Sequence, residues 1–305
     1  RYAMADIEEI RKKVDKLITS KGFNYRDLSL KIGRKDSYIQ QYVKYGYPRR
    51  LKEIDRSRLA RLLDVDEYMD VIGANYHPEA WNTLKNNGTL TKPFVATETI
   101  STITSRGIYS YSYDRQGGKV SNKNYALYSY DNSKVNWGST AAYGWYYTAA
   151  NDWFSGEFVW TGFDYIGEPT PYHTRNSYFG QIDTAGFPKD PYYLYQAEWT
   201  DAKKHPMVHL LPYWDFNEGQ LIDVRAFTNG ASVELFFNGN SCGVCKIDHV
   251  HGTKLSGDWQ IHYAPGEILA VAYDEAGNEI ARESHHSFGE PVRIVIKADK
   301  KEMAA

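Results

Sequence analysis

Two apolar runs in this 305-residue chain end on side chains that can do chemistry. Glu157–Trp160 runs straight into a loop of aromatics, carboxylates, Gly and Pro that extends to Tyr172. Upstream, the run Phe94–Thr97 ends on a carboxylate, Glu98. A carboxylate at a strand end can serve as a nucleophile or as a general acid or base. Aromatic rings beside it can lie against the C–H face of a sugar. Strands that end in polar, aromatic loops are how barrel enzymes assemble such sites. Asp164 and Glu168, in the same loop, read as loop hydrogen-bonding groups.

Other reactive side chains point to no metal and no cofactor. His173, His285 and His286 lack carboxylates or thiols at ligand spacing. Cys242 and Cys245 form a lone C-x-x-C in a strand-like stretch, where alternation predicts opposite faces and structural thiols.

The positioning elements follow from periodicity. Residues 69–76, 94–97 and 157–160 read as strands, and 78–85, 140–154 and 190–199 as helices, with a long loop over 101–138. This alternation is that of a (β/α) barrel, but three units are present where closure needs eight. The apolar runs 71–74, 94–96 and 158–160 are therefore expected to be partly exposed, with self-association as a consequence. From Lys204 onward short apolar strands alternate with turns such as Asn238-Gly239 and Gly277-Asn278, which predicts an immunoglobulin-like sandwich.

The first 67 residues differ in kind. They carry net +6, against net −8 for the remainder. Ile7, Ile10, Val14, Leu17 and Ile18 share a helical face, and Gly22 breaks the helix. Short helices over 25–33 and 35–44, the second with Asp36 as a possible N-cap, flank a Gly turn, and helical spacing resumes through Ile54, Leu59, Leu62 and Leu63. This segment resembles a helix-turn-helix of the phage-repressor type. The resemblance implies that Lys35, Ser37, Tyr38 and Gln41 face duplex DNA, with Arg34 and Lys44 on phosphates. A small helical bundle with a solvated basic face is the alternative.

Residues from Tyr68 on carry Lys92–Ser101, Ser105–Tyr109, Gly156–Tyr172 and Ser177–Gly180 in that order. Together these motifs resemble the β-galactosidases of glycoside hydrolase family 2. The expected architecture is thus multi-domain: an all-α helix-turn-helix domain (1–67), the C-terminal part of a (β/α)8 TIM barrel (68–203) and an all-β immunoglobulin-like sandwich (204–305). The resemblance implies retaining hydrolysis of a β-galactoside or a related carbohydrate. Glu98 would be the nucleophile, Tyr76 its hydrogen-bond donor, and Asn75 and Trp160 substrate-binding residues. The bland reading of Tyr76 and Trp160 is packing at strand ends.

The family's acid/base is a Glu preceded by Asn on an earlier barrel strand. The two Asn-Glu pairs here, Asn217-Glu218 and Asn278-Glu279, read as turn residues. The family portion is expected to be cut at both ends and inactive alone. A regulator with a sugar-sensing or dimerising C-terminal region is the second reading, and a fusion artefact the third. No apolar run is long enough to span a membrane, and Asp6–Lys13 is charged where a signal peptide would be apolar; a cytoplasmic location is expected.

Overall fold

The computed structural model describes residues 7–63, 71–88, 90, 92–109, 128–170 and 172–297. Two compact units result: Arg1–Gly73 with Trp81–Phe94, and Ala74–Ala80 with Val95–Ala305.

In the first unit, α1 (Ile7–Ser20), α2 (Tyr25–Lys31), α3 (Tyr38–Gln40) and α4 (Glu53–Leu63) are the described helices before residue 64. Leu17, Ile18, Leu28, Ile32, Ile39, Leu59 and Leu63 form their shared core. Asn24 caps α2 by accepting from the Asp27 amide at 2.8 Å. At the other end Gly33 takes φ +78, its N–H donates to Leu30, and the Arg34 N–H donates to Ser29. That pair of bonds satisfies the last carbonyls of α2 and turns the chain. Ser29 Oγ then accepts the Ile39 amide at 2.9 Å, latching α3 to α2. The second helix departs from expectation. It starts at Tyr38 after Ser37 rather than after an Asp36 cap, and continues as a π turn, Gln41–Tyr45, that ends on left-handed Gly46.

The sheet β1-β2-β3 is made by Ile72–Asn75, Phe94–Ile100 and Phe154–Trp160, and its residues from Ala74 and from Val95 onward belong to the second unit. Donation from Ile72 to Pro93 and from Tyr76 to Glu98 advances together along β1 and β2, which is the parallel pattern. Pro78–Asn86 forms α5. Of the apolar runs expected to lie open, Phe94 and Ala96 are buried, whereas Phe158 is 66% exposed. Helix α6 (Ala141–Ala149) stops earlier than its periodicity suggested. The Asn151 side chain closes its last turn on the Tyr147 carbonyl at 2.7 Å, and Phe154 already belongs to β3. Helix α7 (Asp190–Trp199) has the expected bounds, with Pro191 in its first turn.

Two short strands, β4 (Tyr165–Ile166) and β5 (Asn176–Ser177), pair in the loop after β3. The sandwich strands are β6 (Val208–Leu211), β7 (Leu221–Thr228), β8 (Ser232–Phe237), β9 (Asn240–Lys246), β10 (Gly257–His262), β11 (Glu267–Tyr273) and β12 (Glu279–His286). They form an antiparallel sheet β10-β7-β6 facing another, β12-β11-β8-β9. Leu210, Val224, Ala226 and Trp259 from one sheet and Val233, Leu235, Ile268 and Ala270 from the other fill the space between them, around fully buried Trp214. Three plus four strands with this order is an immunoglobulin-like arrangement. The cysteine expectation is corrected: both Cys242 and Cys245 pack against this core. A bulge between Glu234 and Phe236 shifts the register, and the extra residue on β9 returns the second thiol to the face of the first.

The junction between α7 and the sandwich is ionic. His209 of β6 puts Nε2 2.8 Å from Asp190 of α7 and Nδ1 3.7 Å from Glu283 of β12, and its ring stacks on Tyr193 at 3.7 Å. Burial opposes the imidazolium, but hydrogen bonds to Asp190 and Glu283 outweigh it and raise the His209 pKa to about 9. Burial likewise acts against the Glu283 carboxylate, yet hydrogen bonds from His209 and His285 lower it to about 2. The histidine contribution is complete below pH ~6.5 and is lost as pH rises through about 9. The carboxylate contribution is complete above ~4.5 and is lost as pH falls through about 2. The contribution of this junction, read as the stability difference between the wild type and His209→Asn in urea denaturation, is therefore expected to be greatest between about pH 4.5 and 6.5 and to decline above it. His209→Ala should cost about 3 kcal/mol at pH 6.

Candidate active site

Glu98 sits two residues before the end of β2, and Tyr76 immediately follows β1. The chain must therefore turn sharply at both places. Tyr76 and His77 take φ +54 and +55; Ile100 and Ser101 take +60 and +53. A left-handed β-branched residue such as Ile100 is an outlier that needs outside support, and such strain gathers at functional sites. The support is visible. Ser139 donates its amide to the Ile100 carbonyl at 2.6 Å, and Thr102 and Lys134 form a bridge beyond it. Gly138 makes this possible, because a Cβ there would stand 2.2 Å from the Ile100 oxygen.

The turns bring Tyr76 onto Glu98. Its phenol donates to Glu98 Oε1 and lies 2.8 Å from Ser101 Oγ. Burial, then the bond to the carboxylate, pushes the Tyr76 pKa up to about 12, so the phenol remains a donor at neutral pH. Ser101 joins this group without a signal in the sequence, since only the turn at Ile100 aims it at Tyr76. Asn75 is exposed and accepts from Thr97 Oγ1 at 2.6 Å on the next strand. Trp160 is half-buried among Ile103, Val135 and Phe179, with Tyr165 edge-on at 6.2 Å, and the Trp160–Thr161 peptide is cis.

The loops after β2 and β3 are tied together beneath the surface. Lys189 is fully buried and donates to the Thr104 carbonyl at 2.8 Å and to Asp164 at 2.7 Å. Asp164 also accepts the Gly180 amide at 2.8 Å. Arg106 reaches Asp183 at 2.9 Å and lies over the Phe187 ring. The motifs at 105–109, 156–172 and 177–180 thus converge, and Asp164 is consumed in holding them. Glu168 accepts from Tyr165 at 2.9 Å. Asn217-Glu218 lies in the β6–β7 loop, and Asn278, before β12, is bonded to Asp274. His285 is held by Pro212 and Glu283. Among the described residues no three His, Cys, Asp or Glu side chains are grouped to hold a metal ion. No described helix is long and apolar enough to cross a membrane.

Glu157 is a carboxyl whose affinity for a proton would suit general acid catalysis, since burial raises its pKa to about 7. Its contacts place it elsewhere. It accepts from Thr148 of α6 at 3.3 Å and from Tyr195 of α7 at 3.2 Å, and Thr99, whose hydroxyl donates to the Phe158 carbonyl at 3.3 Å, lies beside it. Thr99 and Glu98 are neighbours on β2 and project to opposite faces. Glu157 therefore lies on the helix side of the sheet, behind the Glu98 face.

Most of this chain is similar to known proteins. Residues 219–281 match the family model of a domain of unknown function, DUF4982. The chain is 40% identical over 249 residues to Beta-galactosidase BoGH2A of Bacteroides ovatus, covering 78% of this chain and 28% of that protein. It is 33% identical over 271 residues to a putative beta-glucuronidase of Formosa agariphila, covering 76% and 25%. A crystal structure of a beta-glycosidase from Bacteroides vulgatus superposes with a TM-score of 0.62 at 25% identity, covering 96% of this chain and 49% of that one. Over about three quarters of its length the chain thus resembles glycoside hydrolase family 2 proteins of the β-galactosidase and β-glucuronidase kind. It spans about a quarter of the length of these curated relatives.

The position of Glu157 has a measurable consequence. An acid whose pKa is raised on folding favours the fold when protonated, so stability is highest below the ordinary value near 4.5 and falls until pH passes about 7. Glu157→Gln is expected to leave stability unchanged at pH 4 and to raise it by up to about 3 kcal/mol at pH 8. Paired denaturant titrations at the two pH values check this; a variant less stable at pH 8 would reverse the assignment.

Proposed function

We propose that the family 2 region takes part in the retaining hydrolysis of a β-galactoside or related β-glycoside, with Glu98 as the nucleophile. The observation that carries this is the hydrogen bond from Tyr76 to Glu98 at the ends of adjacent strands, with Ser101 beside it. A carboxylate held by a phenol keeps one oxygen fixed while the other is free to attack an anomeric carbon. Asn75 would contact a sugar hydroxyl, and Trp160 would meet its C–H face. Retention needs a second carboxyl roughly 5–5.5 Å away to protonate the leaving oxygen. Glu157 faces the other side of the sheet, Asp164 is spent on Lys189, and the two Asn-Glu pairs belong to sandwich turns. The chain alone is therefore proposed not to turn over glycosides with ordinary leaving groups, because proton transfer contributes about 10²–10⁴-fold.

An activated leaving group removes the need for that proton. A 2-deoxy-2-fluoro-β-galactoside with a dinitrophenolate leaving group should label Glu98, as read by peptide mass spectrometry, and Glu98→Gln should abolish the label. Labelling at another carboxyl would overturn the assignment. Robust turnover of a nitrophenyl β-galactoside by the purified chain, lost in Glu98→Gln, would overturn the proposed lack of independent activity.

We infer separately that the first unit is a helix-turn-helix that contacts duplex DNA. Supporting this are the latched α2–α3 pair, its left-handed Gly33, and the exposure of Lys35 and Gln41. The contact set is narrower than the sequence suggests. Arg34 and Tyr38 both bond to buried Asp55, at 2.7 and 2.8 Å, and Lys44 is paired with Asp15. Ser37 is half-buried and makes no capping bond. Binding in a mobility-shift assay should be weak and fall steeply with salt. Lys35→Ala with Gln41→Ala should weaken it more than Lys44→Ala does.

A further inference from the structure

We propose that a cleft of roughly 450 Å³ in the second unit, between the segment after β2 and the β6–β7 loop, binds a short neutral saccharide. Its lining is Tyr109, Tyr213, Asp215, Phe216, Asn217 and Gln220. The site is distinct in residues from the Glu98 group and does not depend on hydrolysis there.

The floor is aromatic and braced. Tyr213 stacks on Phe216 with centroids 5.1 Å apart and planes 10° apart, and Tyr109 meets Tyr213 edge-on at 5.4 Å. Phe216 in turn packs on Tyr263 and on Trp214, which is fully buried. The Tyr109 hydroxyl is spent on Asp190 at 2.8 Å, so that residue offers the cleft its ring alone. Tyr213 is 40% exposed, with one ring face covered by Phe216, and the exposed lining of the cleft is mainly polar, so hydrogen bonds would hold the sugar with Tyr213 at its edge.

The rim supplies both kinds of hydrogen-bonding group. Asp215 is exposed and offers acceptors, one of which takes the Tyr263 hydroxyl at 3.4 Å. Gln220 uses its oxygen on the Asn217 amide at 3.4 Å, which leaves its nitrogen to donate. The Asn217 side chain makes no hydrogen bond among the described residues, so it can donate and accept. Adjacent hydroxyls on a sugar need this mixture. Among the described lining residues the one charge is the Asp215 carboxylate, which disfavours a uronic acid and favours a neutral sugar. The loop is preformed: Gly219 donates to Tyr263 and Gln220 to Asn217, and His262 lies 3.0 Å from the Gly219 carbonyl. The volume suits a ligand of about disaccharide size.

Saturation-transfer NMR on the full chain, with lactose, cellobiose and digalacturonate as probes, tests the proposal. A neutral disaccharide should bind with a millimolar Kd and digalacturonate should not. Tyr213→Ala and Asn217→Ala should each weaken binding about five-fold or more. Asn217 is exposed, so its variant reports on the cleft even where loss of the Tyr213 ring disturbs the loop. Asn217→Ala should weaken binding to the same extent in a Trp160→Ala background, which separates the cleft from the proposed hydrolytic site. The proposal is overturned if no neutral probe binds, if digalacturonate binds better, or if Trp160→Ala abolishes binding while Asn217→Ala preserves it.

Discussion

Asp131 is a carboxylate buried almost completely, and the candidate active site depends on what it holds. It accepts the amides of Ala141 and Ala142 at 2.8 Å each and the Thr102 hydroxyl at 3.2 Å. The first two bonds satisfy the open N-terminus of α6, and the third fastens the chain just past β2. Burial raises the Asp131 pKa, and the two backbone donors act against that rise. The end of β2 is thus clamped to a helix start, which lets Ile100 and Ser101 hold their left-handed turn. Without that turn Ser101 would not reach Tyr76, and Glu98 would sit in an ordinary strand end.

The same logic recurs at two other joints of the second unit. Lys189 collects the loops after β2 and β3 through one ammonium, using a carboxylate and backbone carbonyls as acceptors. His209 collects α7, β6 and β12 through one imidazole between two carboxylates. Each is a buried or nearly buried charge whose partners come from separate segments. Such groups add less net stability than their contacts suggest, because desolvation offsets the attraction. What they supply is position: a charge of this kind has one arrangement in which it is satisfied, and breaking it leaves an uncompensated group. The apolar core of Ile100, Tyr130, Ala141, Leu194, Leu211 and Phe227 fills the space around these joints.

Carboxyl groups in this chain acquire their roles from which face of an element they occupy. Glu98 and Glu157 lie on adjacent strands, but one faces a phenol and a serine hydroxyl and the other faces α6 and α7. The second has the proton affinity that acid catalysis favours, yet it stands on the wrong side of the sheet. A perturbed pKa therefore marks burial here, and geometry decides the chemistry.

Much of the fold was legible in the sequence because periodicity is local. The bounds of α7, the strand before Glu98 and most sandwich strands follow from apolar spacing, and the strand-ending carboxylate followed from pattern and resemblance alone. The residues that arrange the site were not legible. Asp131, Ser101, Gly138 and Lys189 act across separations that no local pattern encodes, and each looks like an ordinary loop or helix-flanking residue until the chain closes on itself. The two cysteines make the point on a smaller scale. Their spacing predicted opposite faces, but a single bulge, set by pairing with β8, put both thiols on the core. In the first unit the sequence located the basic helices, while tertiary contacts decided which cations remain free, because Asp55 and Asp15 take up Arg34 and Lys44. Sequence determined which segments could become helix or strand; packing alone determined which polar groups would meet, since that depends on contacts between residues far apart in the chain.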